Sequence, residues 1–169
     1  MPRIEFYFDF ASPFAWLIAD GLTELAARHR CEVSWRPVLL FAVFKALGLP
    51  PPMEAEAKRR YLLRDMQRSA RVYGVPYRHP QAFPAVSPLA ARMFYAIDNL
   101  DQPLAKRFAR ATLEAHYVHD RDITKVEVMT DIARTLGLAA SEIAAAAAGE
   151  AAKVRLRQSP RGRLRQSPG

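Results

Sequence analysis

Cysteine is nearly absent: the 169 residues hold one, Cys31. A single thiol excludes an intramolecular disulfide, a two-cysteine redox centre and a zinc site built on cysteines. No apolar run is long enough to span a bilayer. The first residues also lack the plan of a secretory leader, because "IEFYFDF" is short, alternates, and carries Glu5 and Asp9 before any small-residue cleavage site. With no membrane segment and no metal cluster in view, a cytoplasmic α/β protein of one domain is the expectation.

Basic charge is left unbalanced at one end of the chain. The formal charge is +8, yet residues 151–169 hold six Lys/Arg (Lys153, Arg155, Arg157, Arg161, Arg163 and Arg165) and no Asp or Glu. Residues 1–150 then carry 19 basic against 17 acidic side chains, so the basicity belongs to the end of the chain. That end repeats "RLRQSP" at 155–160 and 163–168 without apolar periodicity, which predicts a disordered tail.

"RIEFYFDF" alternates and is aromatic-rich, predicting a strand over 3–10. "SPFAWLIADGLTELAARH" predicts a helix with Ser12 as N-cap, Pro13 at its first position and Phe14, Leu17, Ile18, Leu22 and Leu25 as its buried stripe. "CEVSWRPVLL" predicts a second strand over 32–39, and strand, helix and strand make a parallel βαβ unit across 1–40. Residues 41–150 read as helical. A helix follows "PPP" and stops at Gly74, others cover 88–98 and 103–117, a capping box at Thr124-Lys125-Val126-Glu127 opens the next, and Ser141 caps an alanine-rich one. Two strands alone leave exposed edges and call for more, and none is visible after residue 40.

Ser12 has two readings on these grounds: a helix cap, or a hydroxyl at the carboxyl end of a parallel strand, where open α/β sheets bind ligands. The helix N-terminus there favours a thiolate or a carboxylate. Lys58, Asp65 and Arg68 read as a solvated ion-pair face and Tyr61 as a packing residue. Arg36 and Arg92 are further candidates for a carboxylate. His116 and His119 read as capping or surface residues, Cys31 as a partly buried thiol, and Trp16 and Trp35 as core or site-wall aromatics.

"FYFDFASPFAWL" resembles the opening of the 2-hydroxychromene-2-carboxylate isomerases, which belong with the kappa-class glutathione transferases to the thioredoxin-fold group related to DsbA-type disulfide oxidoreductases. Lys58, Tyr61, Asp65 and Arg68 in "KRRYLLRDMQR", "YGVP" at 73–76 and "RPVLLFAVFKALG" at 36–48 agree with it over about residues 3–137. The resemblance implies a thioredoxin-like βαβ unit with a large all-helical insertion. It implies glutathione as cofactor, held by Ser12, Pro13, Phe14 and Lys58, with Ser12 as the catalytic hydrogen-bond donor to the thiol. The reaction implied interconverts 2-hydroxychromene-2-carboxylate and trans-o-hydroxybenzylidenepyruvate, a small aromatic carboxylate substrate, in aromatic-compound degradation. Disulfide exchange is excluded, because the Cys-x-x-Cys positions of the oxidoreductases read Ser12-Pro13-Phe14-Ala15.

Two departures from the family pattern stand out. Val86 and Ser87 occupy the place of an asparagine after a proline, so the polar contact to glutathione or substrate that the resemblance implies is either missing or supplied by Ser87. The closing strands, their Val-Pro-Thr-like segment and the final helix are missing, so a truncated or frame-shifted C-terminus is expected. The alternatives are a kappa-class-like transferase, or an inactive remnant whose basic 151–169 tail contacts acidic partners. Nucleic-acid binding lacks aromatic interleaving to support it, and a homodimer is compatible.

Overall fold

The computed structural model describes residues 1–51 and 53–159. β1 (Arg3–Phe8) and β2 (Glu32–Pro37) pair in parallel, with α1 (Pro13–Arg28) crossing between them. Among the described residues these two strands are the whole sheet. The register sets Phe6 opposite Trp35 and Tyr7 opposite Arg36, so alternation sorts the strands into an aromatic and a polar face. On the aromatic face Trp35 stands edge-on to Phe6 and Phe8, with ring centroids 5.2 and 5.3 Å away. Both strands end two residues earlier than the alternation predicts, because the Asp9 side chain takes up the amides of Ala11 and Leu40 that follow them.

The buried side of α1 also differs from the predicted stripe. Leu17 is buried as expected, but Ile18 and Leu25 are 40% and 46% exposed. Ala15, Trp16, Ala19 and Ala26 are buried with Leu17 instead, since small residues let α1 close on the helical block.

That block comprises α2 (Leu40–Ala46), α3 (Glu56–Tyr73), α4 (Pro88–Asp98), α5 (Gln102–Tyr117), α6 (Val126–Thr135), α7 (Ala140–Ala148) and α8 (Glu150–Gln158). Its hub is α4, which buries Ala90, Ala91 and every residue from Met93 to Ile97 and packs against α5, α6, α7 and α8. Phe94 meets Phe8 at 6.2 Å between ring centroids and so joins the block to the sheet. Two caps follow the usual chemistry: the Ser87 hydroxyl accepts from Ala90 N–H, and the Asp101 carboxylate from Leu104 N–H. Gly74 ends α3 at φ +65°, a conformation that costs glycine little.

Three local expectations are corrected. No capping box forms at Thr124: its hydroxyl donates to the Asp122 carboxylate at 2.6 Å, and Lys125 takes the N-cap position without a side-chain bond. Thr124 stands one residue outside the cap position, and its hydroxyl is bonded to the carboxylate two residues back. Ser141 does not cap α7, which opens at Ala140 behind Ala139. The tail predicted as disordered from 151 is helical to Gln158, with Ala152 and Leu156 buried one turn apart. The second "RLRQSP" copy lies outside the described residues.

His116 is likewise no surface residue. It is fully buried on α5, and its Nδ1–H donates to the Arg121 carbonyl at 3.0 Å. His119 is exposed, and the half-buried Cys31 thiol donates to the His29 carbonyl at 3.5 Å.

Candidate active site

β1 delivers Asp9 to Ser12 as a tight turn at the carboxyl end of the sheet. Ser12 N–H donates to the Asp9 carbonyl at 2.9 Å, and Ala15 N–H to the Ser12 carbonyl at 3.0 Å. An N-cap hydroxyl ordinarily accepts from the second or third helical amide. Here Ala15, the third, is bonded to the Ser12 carbonyl, and the Ser12 hydroxyl makes no cap hydrogen bond. Ser12 is half-buried with extended backbone, φ −102° and ψ 114°. Its hydroxyl stands at the positive end of a 16-residue helix.

Several other groups hold this turn. Asp9 is 4% exposed; one carboxylate oxygen accepts from Ala11 N–H at 2.8 Å and the other from Leu40 N–H at 2.6 Å. Burial pushes the Asp9 carboxyl above its ordinary pKa, while the two amides pull against that shift. The Tyr117 hydroxyl donates to the Phe10 carbonyl at 3.0 Å, and Trp16 Nε1–H donates to the Pro76 carbonyl at 2.8 Å. Tyr95, on α4, donates to the Pro37 carbonyl at 2.9 Å. Each aromatic ring packs in the interior while its polar tip ties the helical block to the βαβ unit. Burial drives the Tyr117 hydroxyl well above its usual pKa, so it acts as a donor.

Asp9 and Tyr117 are the residues that sequence reasoning missed. A signal for Asp9 was present, since a carboxylate at the end of an aromatic strand has to be paired. Tyr117 acts across 107 positions, and no local pattern announces it.

The expected site residues divide. Ser12, the buried Pro13 and the half-buried Phe14 sit together at the start of α1. Lys58 is exposed in the first turn of α3, with no hydrogen bond or ion pair to that turn among the described residues. Ser87 is not placed to meet a ligand: it is 2% exposed, and its hydroxyl donates to the Ile123 carbonyl at 2.8 Å while capping α4. Tyr61 is 60% exposed rather than packed. Asp65 and Arg68 form the expected ion pair, and this contact holds the exposed guanidinium above its ordinary pKa. Arg36 lines a polar cleft of about 240 Å³ with Glu5, Tyr7 and Arg155. Arg92 lines a separate apolar cleft against α2 and α8. Ser12 lines neither of these.

No group of three His, Cys, Asp or Glu side chains able to hold a metal occurs among the described residues. No described helix is long and apolar enough to cross a membrane. The turn therefore offers a hydroxyl donor and a helix dipole to an anion, with no cysteine for exchange.

Known proteins agree with this architecture. A solved structure of a 2-hydroxychromene-2-carboxylate isomerase superimposes with TM-score 0.84 at 23% identity, covering 96% of this chain and 79% of that one. The 2-hydroxychromene-2-carboxylate isomerase of Sphingobium xenophagum is 37% identical over 82 residues, 47% of this chain and 42% of that protein. Glutathione S-transferase kappa 1 of Rattus norvegicus is 25% identical over 147 residues, 83% of this chain and 65% of that protein. The chain thus spans less than two thirds of either relative's length. The DSBA-like thioredoxin domain model matches residues 3–162, and the chain belongs to that family.

Proposed function

We propose that the chain is a glutathione-dependent enzyme in which the Ser12 hydroxyl donates a hydrogen bond to the glutathione sulfur. The observation that carries this reading is the Ser12 hydroxyl left without a cap bond at the start of α1. A hydroxyl donor and a helix N-terminus fit a thiolate, and both lower the pKa of a thiol placed there. Bound glutathione would supply a nucleophile that adds to the conjugated acid and leaves again, allowing rotation about a former double bond without net redox change.

The protein's part is to hold that nucleophile as an anion and to position the acid. Ser12 donates to the sulfur, while the clamped 9–12 turn keeps the hydroxyl from relaxing onto the backbone. Pro13 and Phe14 form the wall beside it, and Lys58 supplies a positive charge for a carboxylate of glutathione or of the substrate. The substrate suggested by the isomerase relatives is 2-hydroxychromene-2-carboxylate. The kappa-transferase relative, aligned over more of the chain, favours a second reading in which glutathione is conjugated to an electrophile.

Glutathione titration by calorimetry, with chromene-acid turnover and glutathione conjugation measured in parallel, separates these readings. Ser12→Ala is expected to lower turnover by roughly tenfold or more. Unchanged turnover and glutathione affinity in that variant would remove Ser12 from the mechanism.

A further inference from the structure

We propose that the cleft between α2, α4 and α8 binds a small carboxylate with an apolar body, at a site separate from Ser12. The cleft encloses about 530 Å³, within the roughly 300–1,000 Å³ of small-molecule sites. Its floor comes from an unusual helix: α2 reads "LFAVFKA" and yet has no buried residue. Leu39, Val43 and Leu47 line one side, and Leu156 of α8 and Pro88 line the rest. Leu47 is 54% exposed, so this apolar surface lacks a full protein cover among the described residues.

The rim carries charge of one sign. Arg92, Lys153 and Arg157 line the cleft, and among the described residues no Asp or Glu does. Arg157 is paired with Glu150 at 3.1 Å. Arg92 gives its Nε–H to the Pro88 carbonyl at 3.1 Å, but neither it nor Lys153 has a carboxylate partner among the described residues. Both are half-buried, and a cation partly withdrawn from water beside an apolar floor favours an anion. The stretch beyond Ser159 does not match this cleft, because residues 160–169 add three arginines and no acid. A ligand with a carboxylate head for Arg92 and Lys153 and an apolar body for α2 satisfies both halves.

Decanoate below its micellar concentration is the probe, titrated by calorimetry against decanol and decyltrimethylammonium. Wild-type protein is expected to bind decanoate roughly tenfold more tightly than decanol and to give no heat with the cation. The double variant Arg92→Gln/Lys153→Gln is expected to weaken decanoate by about tenfold or more while leaving decanol unchanged. Ala46→Phe, an exposed position lining the cleft, is expected to weaken both by filling it. Ser12→Ala is expected to leave decanoate affinity unaltered, which keeps this site distinct from the glutathione reading. Absence of decanoate binding, equal affinity for decanoate and decanol, or indifference to Ala46→Phe would overturn the proposal. So would a concentration-dependent dimer that excludes decanoate, which would assign the cleft to a second copy.

Discussion

Asp9 Oδ2 accepts the Leu40 N–H at 2.6 Å, joining the end of β1 to the start of α2 across 31 positions. Its other oxygen fixes Ala11, one residue before Ser12. One nearly buried carboxylate therefore sets both the candidate catalytic turn and the helix beneath the apolar cleft. Asp9→Ala would leave two amides without an acceptor, at a cost of about 2–4 kcal/mol. Asp9→Asn keeps one acceptor oxygen, so its loss should be about half as large. Urea unfolding of the two variants measures this, and equal stability of Asp9→Ala and wild type would show that the clamp is not holding the turn.

A thiol at position 12 would report the electrostatics of the helix start without any substrate. In a Cys31→Ser background, Ser12→Cys leaves one titratable thiol in the chain. The α1 N-terminus should lower its pKa by about one unit or more from the usual ~8.5. Thiolate absorbance against pH gives the value directly. An ordinary pKa would mean that the dipole does not act at this position and would weaken the case for thiolate stabilisation.

Acid should unfold the protein earlier than its surface charges suggest, and His116 is the reason. Burial is the main cause holding its pKa below the usual 6.5, and His79 is lowered for the same reason. The unfolded chain then takes up protons below the ordinary histidine pKa that the folded chain refuses. Stability is full above that value and falls as pH drops from it toward the folded pKa. Asp9 has the opposite sign, because its folded pKa is raised and the folded state binds its proton first as pH falls. His116→Gln and His79→Gln should therefore flatten the dependence of unfolding free energy just below pH ~6.5. A slope there equal to that of wild type would remove both histidines as its cause.

The βαβ unit was legible because its signals are local: alternating aromatics, a Ser-Pro helix start and a second alternating run. Gly74 likewise marked the end of α3. The errors arose where a distant partner decided the outcome. Ile18 and Leu25 fit a helical stripe, but small residues of α1 fit the helical block more closely. Ser87 read as a polar contact because sequence shows the hydroxyl but not the Ile123 carbonyl 36 positions away. For Ser12 the sequence raised the right question. The structure narrows it by showing that the Ala15 amide is satisfied by backbone, leaving the hydroxyl free of its capping duty.

The helix α8 was misread for a related reason, and it supplies the sharpest test of the fold. Its repeat-like "RLRQ" looks unable to bury anything, yet Arg155 docks it. Arg155 Nη2 donates to Asp98 Oδ2 at 2.6 Å, Nη1 reaches the Asn99 side chain, and the guanidinium lies 4.8 Å from the Tyr95 ring centre. The Asp98 side chain is 9% exposed, so removing its partner strands a nearly buried charge. Arg155 itself is 29% exposed, which tempers the loss, and Arg155→Ala should cost about 1–3 kcal/mol. The Arg157–Glu150 pair on the same helix is 61% and 65% exposed. Its removal by Glu150→Gln should stay within about 0.5 kcal/mol. Hydrogen exchange then gives the spatial readout: Arg155→Ala should lose amide protection across 150–158 while α4 and α5 keep theirs. Equal effects of the two substitutions would mean that Ala152 and Leu156 hold α8 by packing alone.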